Sequence, residues 1–173
     1  MKKLLVLLFI LPTFCVAQNK NGYAQVAGDL SISKPLGTGA GGSFLIGHNV
    51  GNGSLGAGFD LVKYKNLEKI APSLYADFRY YLGKGIDKPL PYFTLTPGYF
   101  FYNSSSQVST ITAVSKGGFL IGAGFGCIFY SGHKTAPYLS VLYNKFPIKT
   151  TINNGKAATT NYDVAKISVG VNF

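Results

Sequence analysis

Large apolar residues alternate with small or polar residues along most of the chain after residue 18. In the segment 73–82, Leu74 and Phe78 share one parity and Asp77 and Arg79 share the other. Successive side chains of a β-strand point to opposite faces, so this period of two predicts strands. Turn-forming residues separate the alternating segments. We predict eight strands, at residues 22–33, 39–49, 54–64, 73–82, 91–102, 116–129, 137–146 and 163–173.

Alternation alone does not say which face of a barrel meets solvent. A soluble eight-stranded barrel of the lipocalin kind alternates in the same way, but it coats its outer face with charged side chains. Here charged residues are only 13% of the chain, against 47% hydrophobic residues and 22 glycines. Small residues suit the narrow interior of an eight-stranded barrel. We therefore predict an all-β fold, a closed antiparallel up-and-down transmembrane β-barrel with its bulky apolar face outward.

Strand length, aromatic positions and loop lengths agree with a membrane barrel. A tilted strand of about 9–11 residues crosses a bilayer, and the outer loops predicted at 103–115 and 147–162 are longer than the inner connections. We expect two belts of aromatic residues at the membrane interfaces. The inner belt comprises Tyr23, Tyr80, Tyr81, Tyr92, Phe93, Phe129, Tyr130, Tyr138 and Phe173. The outer belt comprises Tyr64, Tyr99, Phe101, Tyr102, Tyr143, Phe146 and Tyr162.

Residues 1–17 have the layout of a secretory signal peptide, with a short cationic start, an apolar stretch and small residues at the cleavage site. Cleavage after Ala17 leaves one domain, residues 18–173, in which Cys127 is the only cysteine. An internal disulfide is then excluded. A lipidated Cys15 is the alternative, but the bulky Phe14 before it is unfavourable.

The last strand ends on Phe173, and it contains Val171 on the same parity and Lys166 on the opposite parity. With the signal peptide and eight amphipathic strands, the chain resembles the small outer-membrane β-barrel proteins of Gram-negative bacteria, of the OmpA-barrel, OmpX-like and porin-like kind. In that family, a C-terminal strand ending in an aromatic residue is recognised by the barrel assembly machinery. Ser168 stands where glycine is common. The resemblance implies assembly at the outer membrane with the help of periplasmic chaperones, and a monomer.

Six charged residues fall on the predicted inward face: Asp29, Asp60, Asp77, Arg79, Lys116 and Lys166. We expect Asp60 and Arg79 to lie at similar heights on neighbouring strands. We expect Asp29 and Lys166 to meet where the first and last strands close the barrel. Arg79 has a forked guanidinium that can serve two carboxylates. These groups either line a charged pore or form a paired polar plug, and the narrow interior favours the plug.

Lysines dominate the predicted outer rim, where lipopolysaccharide presents its phosphates. We expect Lys63, Lys65 and Lys145 to contact those phosphates, with their stems along apolar surface. The alternative is a solvated rim. Although the formal net charge is +10, nucleic acid is an improbable partner for an exported surface.

Candidate chemistry is sparse. Two GxGxxG spacings, starting at Gly37 and Gly51, precede no predicted helix, which a dinucleotide site requires. Ser131 and His133 lie close together, but no carboxylate completes a hydrolytic triad beside them. Two histidines and one mature cysteine make a poor metal site. We predict no cofactor, no metal and no catalytic residue.

Four functions remain open. The first is a structural or interaction barrel that stabilises the envelope and displays its outer loops, with its interior plugged. The second is a narrow porin-like channel for small solutes. The third and fourth are a lipid A-modifying barrel enzyme and a soluble lipocalin-like carrier. The sequence favours the first.

Overall fold

A computed structural model describes residues 21–83, 88–108, 111–129, 135–153, 155 and 157–173. The predicted signal peptide lies outside these residues. The described chain contains no helix that is long and apolar enough to cross a membrane. The described residues form ten antiparallel strands: β1 (Gly22–Ser33), β2 (Gly37–Val50), β3 (Gly53–Tyr64), β4 (Ala71–Tyr81), β5 (Leu90–Phe100), β6 (Asn103–Val108), β7 (Ile111–Lys116), β8 (Phe119–Ile128), β9 (Ala136–Ile152) and β10 (Ala157–Asn172).

Eight of these strands form a closed barrel, in the order β10-β1-β2-β3-β4-β5-β8-β9, with β9 paired back to β10. The first and last strands meet in register, with Leu30 opposite Ile167 and Val26 opposite Val171. Closure gives the backbone of every barrel strand a hydrogen-bonding neighbour on both sides, which a bilayer requires. The predicted fold, a closed eight-stranded antiparallel barrel, is confirmed.

The predicted direction of the apolar face is also confirmed. Leu30 is 63% exposed and Phe125 is 60% exposed, whereas Asp29 and Gly126, on the opposite parity, face the interior and are buried. The same alternation runs along β4 and β10, where Leu74 and Ile167 are exposed. A belt of large apolar side chains therefore surrounds the barrel.

A tight turn joins β2 to β3 at the end of the barrel where β1 begins and β10 ends. Gly51, with a φ of 60°, allows β2 to turn directly into β3. At the opposite end, β9 and β10 continue pairing beyond the barrel as far as Thr151 opposite Ala157. We call the end where β1 begins and β10 ends the inner end, and the opposite end the outer end.

The two segments predicted as outer loops are largely β-structure. β6 and β7 pair with each other as a hairpin, and β7 pairs with the extended part of β9, from Ala113 opposite Ile152 to Lys116 opposite Lys149. β-branched residues at alternate positions, such as Ile148 and Ile152, favour this extension. Strands β6, β7, β9 and β10 thus build a sheet that rises from the outer end.

The pairing between β4 and β5 is interrupted near the middle of the wall. Its register runs from Ser73 to Tyr75 and resumes at Phe78, so that Ala76 and Asp77 are left out of the ladder. Pro97 lies opposite this gap and has no amide hydrogen to donate. On its other side, Pro97 still pairs with Ile121 of β8.

Candidate functional site

The interior of the barrel contains five buried charged side chains among the described residues, all of them predicted to face inward: Asp29, Asp60, Asp77, Arg79 and Lys166. We call this set the charged layer. It brings together three carboxylates and two cations in a space with almost no solvent. Removing charges from water is costly unless they find partners, so the geometry of these pairs decides how the interior is held.

Arg79 is the centre of the first cluster. Its Nε donates to Asp77 Oδ1 at 2.9 Å, and its Nη2 donates to Asp77 Oδ2 at 3.0 Å and to Gln25 Oε1 at 2.8 Å. Thr94 donates a further hydrogen bond to Asp77 Oδ1 at 3.2 Å. Since Gln25 belongs to β1 and Arg79 to β4, the cluster joins walls that are not neighbours in the sheet.

Two tyrosine rings cover the Arg79 guanidinium. Its Cζ lies 4.6 Å from the centroid of Tyr92 and 5.4 Å from the centroid of Tyr23. Such contacts add electrostatic attraction from the ring faces. Gln25 extends the cluster to β10, where its Nε2 donates to Asn172 Oδ1 at 3.0 Å.

Lys166 is the centre of the second cluster. Its Nζ donates to Asp60 Oδ2 at 2.6 Å, and it lies 5.6 Å from the centroid of the Tyr75 ring. Asp29 accepts hydrogen bonds on Oδ1 from Ser43 at 3.2 Å and from Ser168. The ion pair joins β10 to β3 across two intervening strands.

These pairings differ from those that the sequence predicted. In the β3–β4 register Asp60 lies opposite Ser73, and Arg79 lies opposite Ser54. Six residues separate the two levels, or about 20 Å along a strand. Arg79 therefore binds Asp77 on its own strand. Asp29 and Lys166 do share the closing seam, where Lys166 lies opposite Ser31, but the Lys166 ammonium binds Asp60.

Lys116 does not belong to the interior. It is exposed at the end of β7, in the hairpin beyond the barrel. The prediction extended the parity of β8 backwards through Gly117 and Gly118, but these two residues lie between strands and break the alternation.

The outer part of the interior is filled by apolar and aromatic side chains instead of charges. Phe100 and Phe146 stack with ring centroids 4.0 Å apart, and Tyr162 stacks on Phe146 at 6.2 Å. We call this set the aromatic layer. Its buried members include Val62, Tyr64, Phe100, Leu120, Phe146, Ile148 and Val164.

The aromatic layer corrects the predicted belts. In the outer belt, Tyr64 and Phe146 are buried, whereas Tyr99, Phe101 and Tyr143 are exposed. In the inner belt, Tyr80, Phe93, Phe129 and Phe173 are exposed and Tyr23, Tyr92 and Tyr138 are buried. Tyr130 lies outside the described residues. Position near a strand end was used for the prediction, but the parity of each residue decides which face its ring joins.

Interior glycines make room for the tyrosine rings. A Cβ at Gly58 would collide with the ring of Tyr75, and one at Gly126 would collide with the ring of Tyr92. The same relation joins Gly47 to Tyr23. The sequence carried this signal, since glycines and tyrosines share the inward parity of adjacent strands.

The three lysines predicted at the lipopolysaccharide interface are exposed on the outside. Lys63 donates to the backbone carbonyls of Leu67 and Glu68 in its own loop. Lys145 lies directly opposite Asp163 in the β9–β10 register. Asp163 is a carboxylate at the outer rim that the sequence analysis left out.

Two residues considered for other chemistry, His48 and Cys127, are described, and both lie apart from these layers. His48 is exposed at the inner end of β2, and Cys127 is half-buried on the outward parity of β8. Ser131 and His133 lie outside the described residues. Within the part of the chain that is described, no group of three His, Cys, Asp or Glu side chains is placed to hold a metal ion.

Three solved structures share this architecture. Neisserial surface protein A (NspA) is 17% identical with a TM-score of 0.58, and the match covers 87% of this chain and 94% of that chain. The N-terminal β-barrel domain of Pseudomonas aeruginosa OprF is 14% identical with a TM-score of 0.54, and the match covers 87% of this chain and 97% of that chain. The outer membrane protein OprG from Pseudomonas aeruginosa is 12% identical with a TM-score of 0.56, and the match covers 91% of this chain and 97% of that chain. No protein-family model matches the sequence, and no curated protein sequence matches it. At these identities the likeness establishes the fold, which is that of the small eight-stranded outer-membrane barrels.

Proposed function

We propose that the protein is an integral outer-membrane barrel, a monomer with a structural and interaction role and a plugged interior. The belt of exposed apolar side chains supports the membrane location. Soluble monomers rarely expose contiguous apolar patches larger than a few hundred Å², and here such side chains as Leu30, Phe125 and Val169 are exposed on several strands. A bilayer supplies the apolar surroundings that this surface needs.

The filled interior carries the proposal of a structural role. The cavity in the charged layer, lined by residues that include Arg79 and Lys166, has a volume of about 20 Å³. That is room for about one water molecule. The aromatic layer lies above it, so a solute would have to break ion pairs and then separate the stacked rings of Phe100 and Phe146. This arrangement favours a plug over a narrow channel.

The sheet of β6, β7, β9 and β10 that rises from the outer end, which we call the outer sheet, supports the interaction role. It carries exposed polar side chains, such as Ser105 and Ser106 on β6 and Thr159 and Thr160 on β10. A sheet tied to the barrel by β9 and β10 presents these groups on a rigid support. Its polar surface is suited to contact with other molecules outside the cell.

The proposed route to the membrane begins with cleavage of residues 1–17 and continues with periplasmic chaperones and the barrel assembly machinery. The C-terminal residue, Phe173, exchanges two backbone hydrogen bonds with Ala24, and its ring is exposed on the outside. Val171 pairs with Val26 at the same seam. The aromatic end of the last strand is thus presented at the closing edge, where an assembly factor can bind it before β1 does.

Two measurements on the full chain test the proposal. In envelope fractionation we expect the protein in the outer membrane, with a folded form that runs differently from the heated form on a gel. In planar bilayers we expect no stable single-channel conductance. Steady solute-sized conductance would overturn the plug in favour of the channel. Release with the soluble periplasm would overturn the membrane location in favour of a carrier, and altered lipid A in cells expressing the protein would favour an enzyme.

A further inference from the structure

A groove of about 480 Å³ lies on the outside of the barrel at its outer end, where β4 begins and β5 ends. We call it the outer groove. Its walls include the exposed apolar side chains Ile70, Tyr99 and Phe101. The rings of Tyr99 and Phe101 lie 4.9 Å apart and form one continuous surface. The groove therefore offers an apolar surface on the outside of the barrel, which faces lipid if the proposed membrane location holds.

The depth of the outer groove depends on Gly117. A Cβ at this position would collide with the backbone oxygen of Phe100, so only glycine fits. The Gly117 amide donates to Tyr102 O at 2.8 Å, and the Tyr99 hydroxyl donates to Gly117 O at 3.2 Å. These bonds fix the floor and one wall, so the groove is part of the fold.

Two lysines, Lys69 and Lys116, also line the groove. Lys69 Nζ donates to Asn103 O at 3.4 Å, and Lys116 lies opposite Asn103 in the β6–β7 register. Lys116 also lies directly opposite Lys149 in the β7–β9 register. Like charges directly opposite each other in a sheet are destabilising. An anion bound between these lysines would replace repulsion by attraction.

The nearest carboxylates of the described residues are engaged elsewhere. Glu68 Oε2 accepts a hydrogen bond from Ser104 at 2.9 Å. Ser104 is next to Asn103 and is buried, so it faces the side of β6 opposite to Asn103 and Lys116. Asp163 lies opposite Lys145, lower on the barrel wall. Among the described residues, no salt bridge joins Lys69, Lys116 or Lys149 to a carboxylate, so their charge is available to an external partner.

We propose that the outer groove binds a phosphorylated acyl lipid of the outer leaflet, with an acyl chain against Ile70, Tyr99 and Phe101 and a phosphate on Lys69 and Lys116, next to Lys149. This inference rests on the proposed membrane location. It moves the specific lipid contact away from Lys63, Lys65 and Lys145. Lys63 already serves its own loop, and Lys145 already faces a carboxylate.

The test uses the refolded mature barrel in detergent micelles with bis-phosphorylated lipid A as the probe, and native mass spectrometry counts the lipids retained. We expect K116Q to weaken retention about fivefold, the upper range for one exposed ion pair, and K69Q/K116Q to weaken it further. The matched control K34Q removes one exposed rim lysine that does not line the groove, and it should change retention less than about twofold. Dephosphorylated lipid A should bind as weakly to the wild type as lipid A binds to K69Q/K116Q.

The outcomes separate this inference from the proposed function. Equal losses for K116Q and K34Q would show general rim electrostatics and overturn the groove. Displacement of lipid A by millimolar inorganic phosphate would show that the acyl chain contributes nothing, which also overturns it. Heat-modifiable mobility of each variant is measured in the same samples. A barrel that inserts into membranes but retains no lipid A would refute the groove alone, whereas a chain that stays soluble would refute both.

Discussion

The inner and middle parts of the barrel interior are held by charge pairs, whereas the outer part is filled by stacked rings. In the charged layer, Arg79 makes three hydrogen bonds to Asp77 and Gln25 within 3.0 Å. In the aromatic layer, Phe146 packs between the rings of Phe100 and Tyr162, and the contacts are ring stacking instead of hydrogen bonds. The same eight-stranded wall therefore encloses two kinds of core.

The difference between the layers lies in what each one specifies. An ion pair such as Lys166–Asp60 is satisfied at one relative height of β10 and β3, so the charged layer opposes slippage of the strands. Stacked rings fill volume at native packing density and do not depend on particular hydrogen-bond partners. The charged layer should therefore be sensitive to the loss of one partner, and the aromatic layer to the loss of volume.

The largest effect is expected from Lys166→Met. The substitution keeps most of the side-chain volume but leaves Asp60 buried without its cation, close to the buried Asp29. Removing one partner of a buried pair costs about 3–5 kcal/mol. The measurement is urea unfolding of the barrel in lipid vesicles, followed by heat-modifiable gel mobility.

The double variant Lys166→Met/Asp60→Leu is the control for this prediction. Replacing both members of a buried pair by apolar residues is often neutral or stabilising, so we expect it to recover more than half of the loss. If the double variant were as unstable as Lys166→Met alone, lost packing rather than an unpaired carboxylate would explain the loss.

The sequence predicted the parity of the interior but not its pairings. Parity alone placed Asp29, Asp60 and Lys166 inside, and the structure buries all three. Which charges meet depends on the stagger of the strands around the barrel, and no local pattern encodes that stagger. This is why the sequence placed Lys166 and Asp29 at the same seam but did not predict that Lys166 reaches Asp60 across two strands.

The inward direction of several tyrosine rings was missed for a different reason. Tyr64 has the same parity as Asp60, and Tyr92 the same parity as Thr94, so the alternation already turned their rings inward. Membrane barrels are expected to carry aromatic belts at their rims, and this expectation was given more weight than the alternation. Lys116 was misplaced for the opposite reason. There the alternation was trusted too far, because parity no longer predicts the face of a side chain once Gly117 and Gly118 interrupt the strand.

The second effect tests the aromatic layer. Phe146 is 1% exposed and is stacked at 4.0 Å on Phe100, so Phe146→Ala leaves a cavity and should cost about 3 kcal/mol. Phe146→Leu keeps most of the volume and should cost less than about 1.5 kcal/mol. Both are measured by the same urea titration. Equal losses for the two variants would mean that this layer depends on ring stacking rather than on filled volume.

The same Phe146→Ala variant also separates the layers in planar bilayers. Because the charged layer beneath it is unchanged, we expect no conductance even though the outer seal has a cavity. Conductance in Phe146→Ala would instead place the whole barrier in the aromatic layer.

The smallest effect is expected from Gly58→Ala, at the junction of the two layers. The new methyl group would collide with the ring of Tyr75, which lies beneath the Lys166 ammonium. Overpacking of this kind costs about 1–3 kcal/mol, and a flexible ring end places the expected loss near the lower limit.

The matched control is Gly28→Ala on the outward parity of β1, where a Cβ meets no described atom within 4 Å. That substitution should be neutral or stabilising by up to about 1 kcal/mol, because alanine restricts the unfolded chain. If the two alanines had the same effect on the urea midpoint, the tyrosine rings would not need the inward glycines, and the charged layer would be less tightly packed than the geometry indicates.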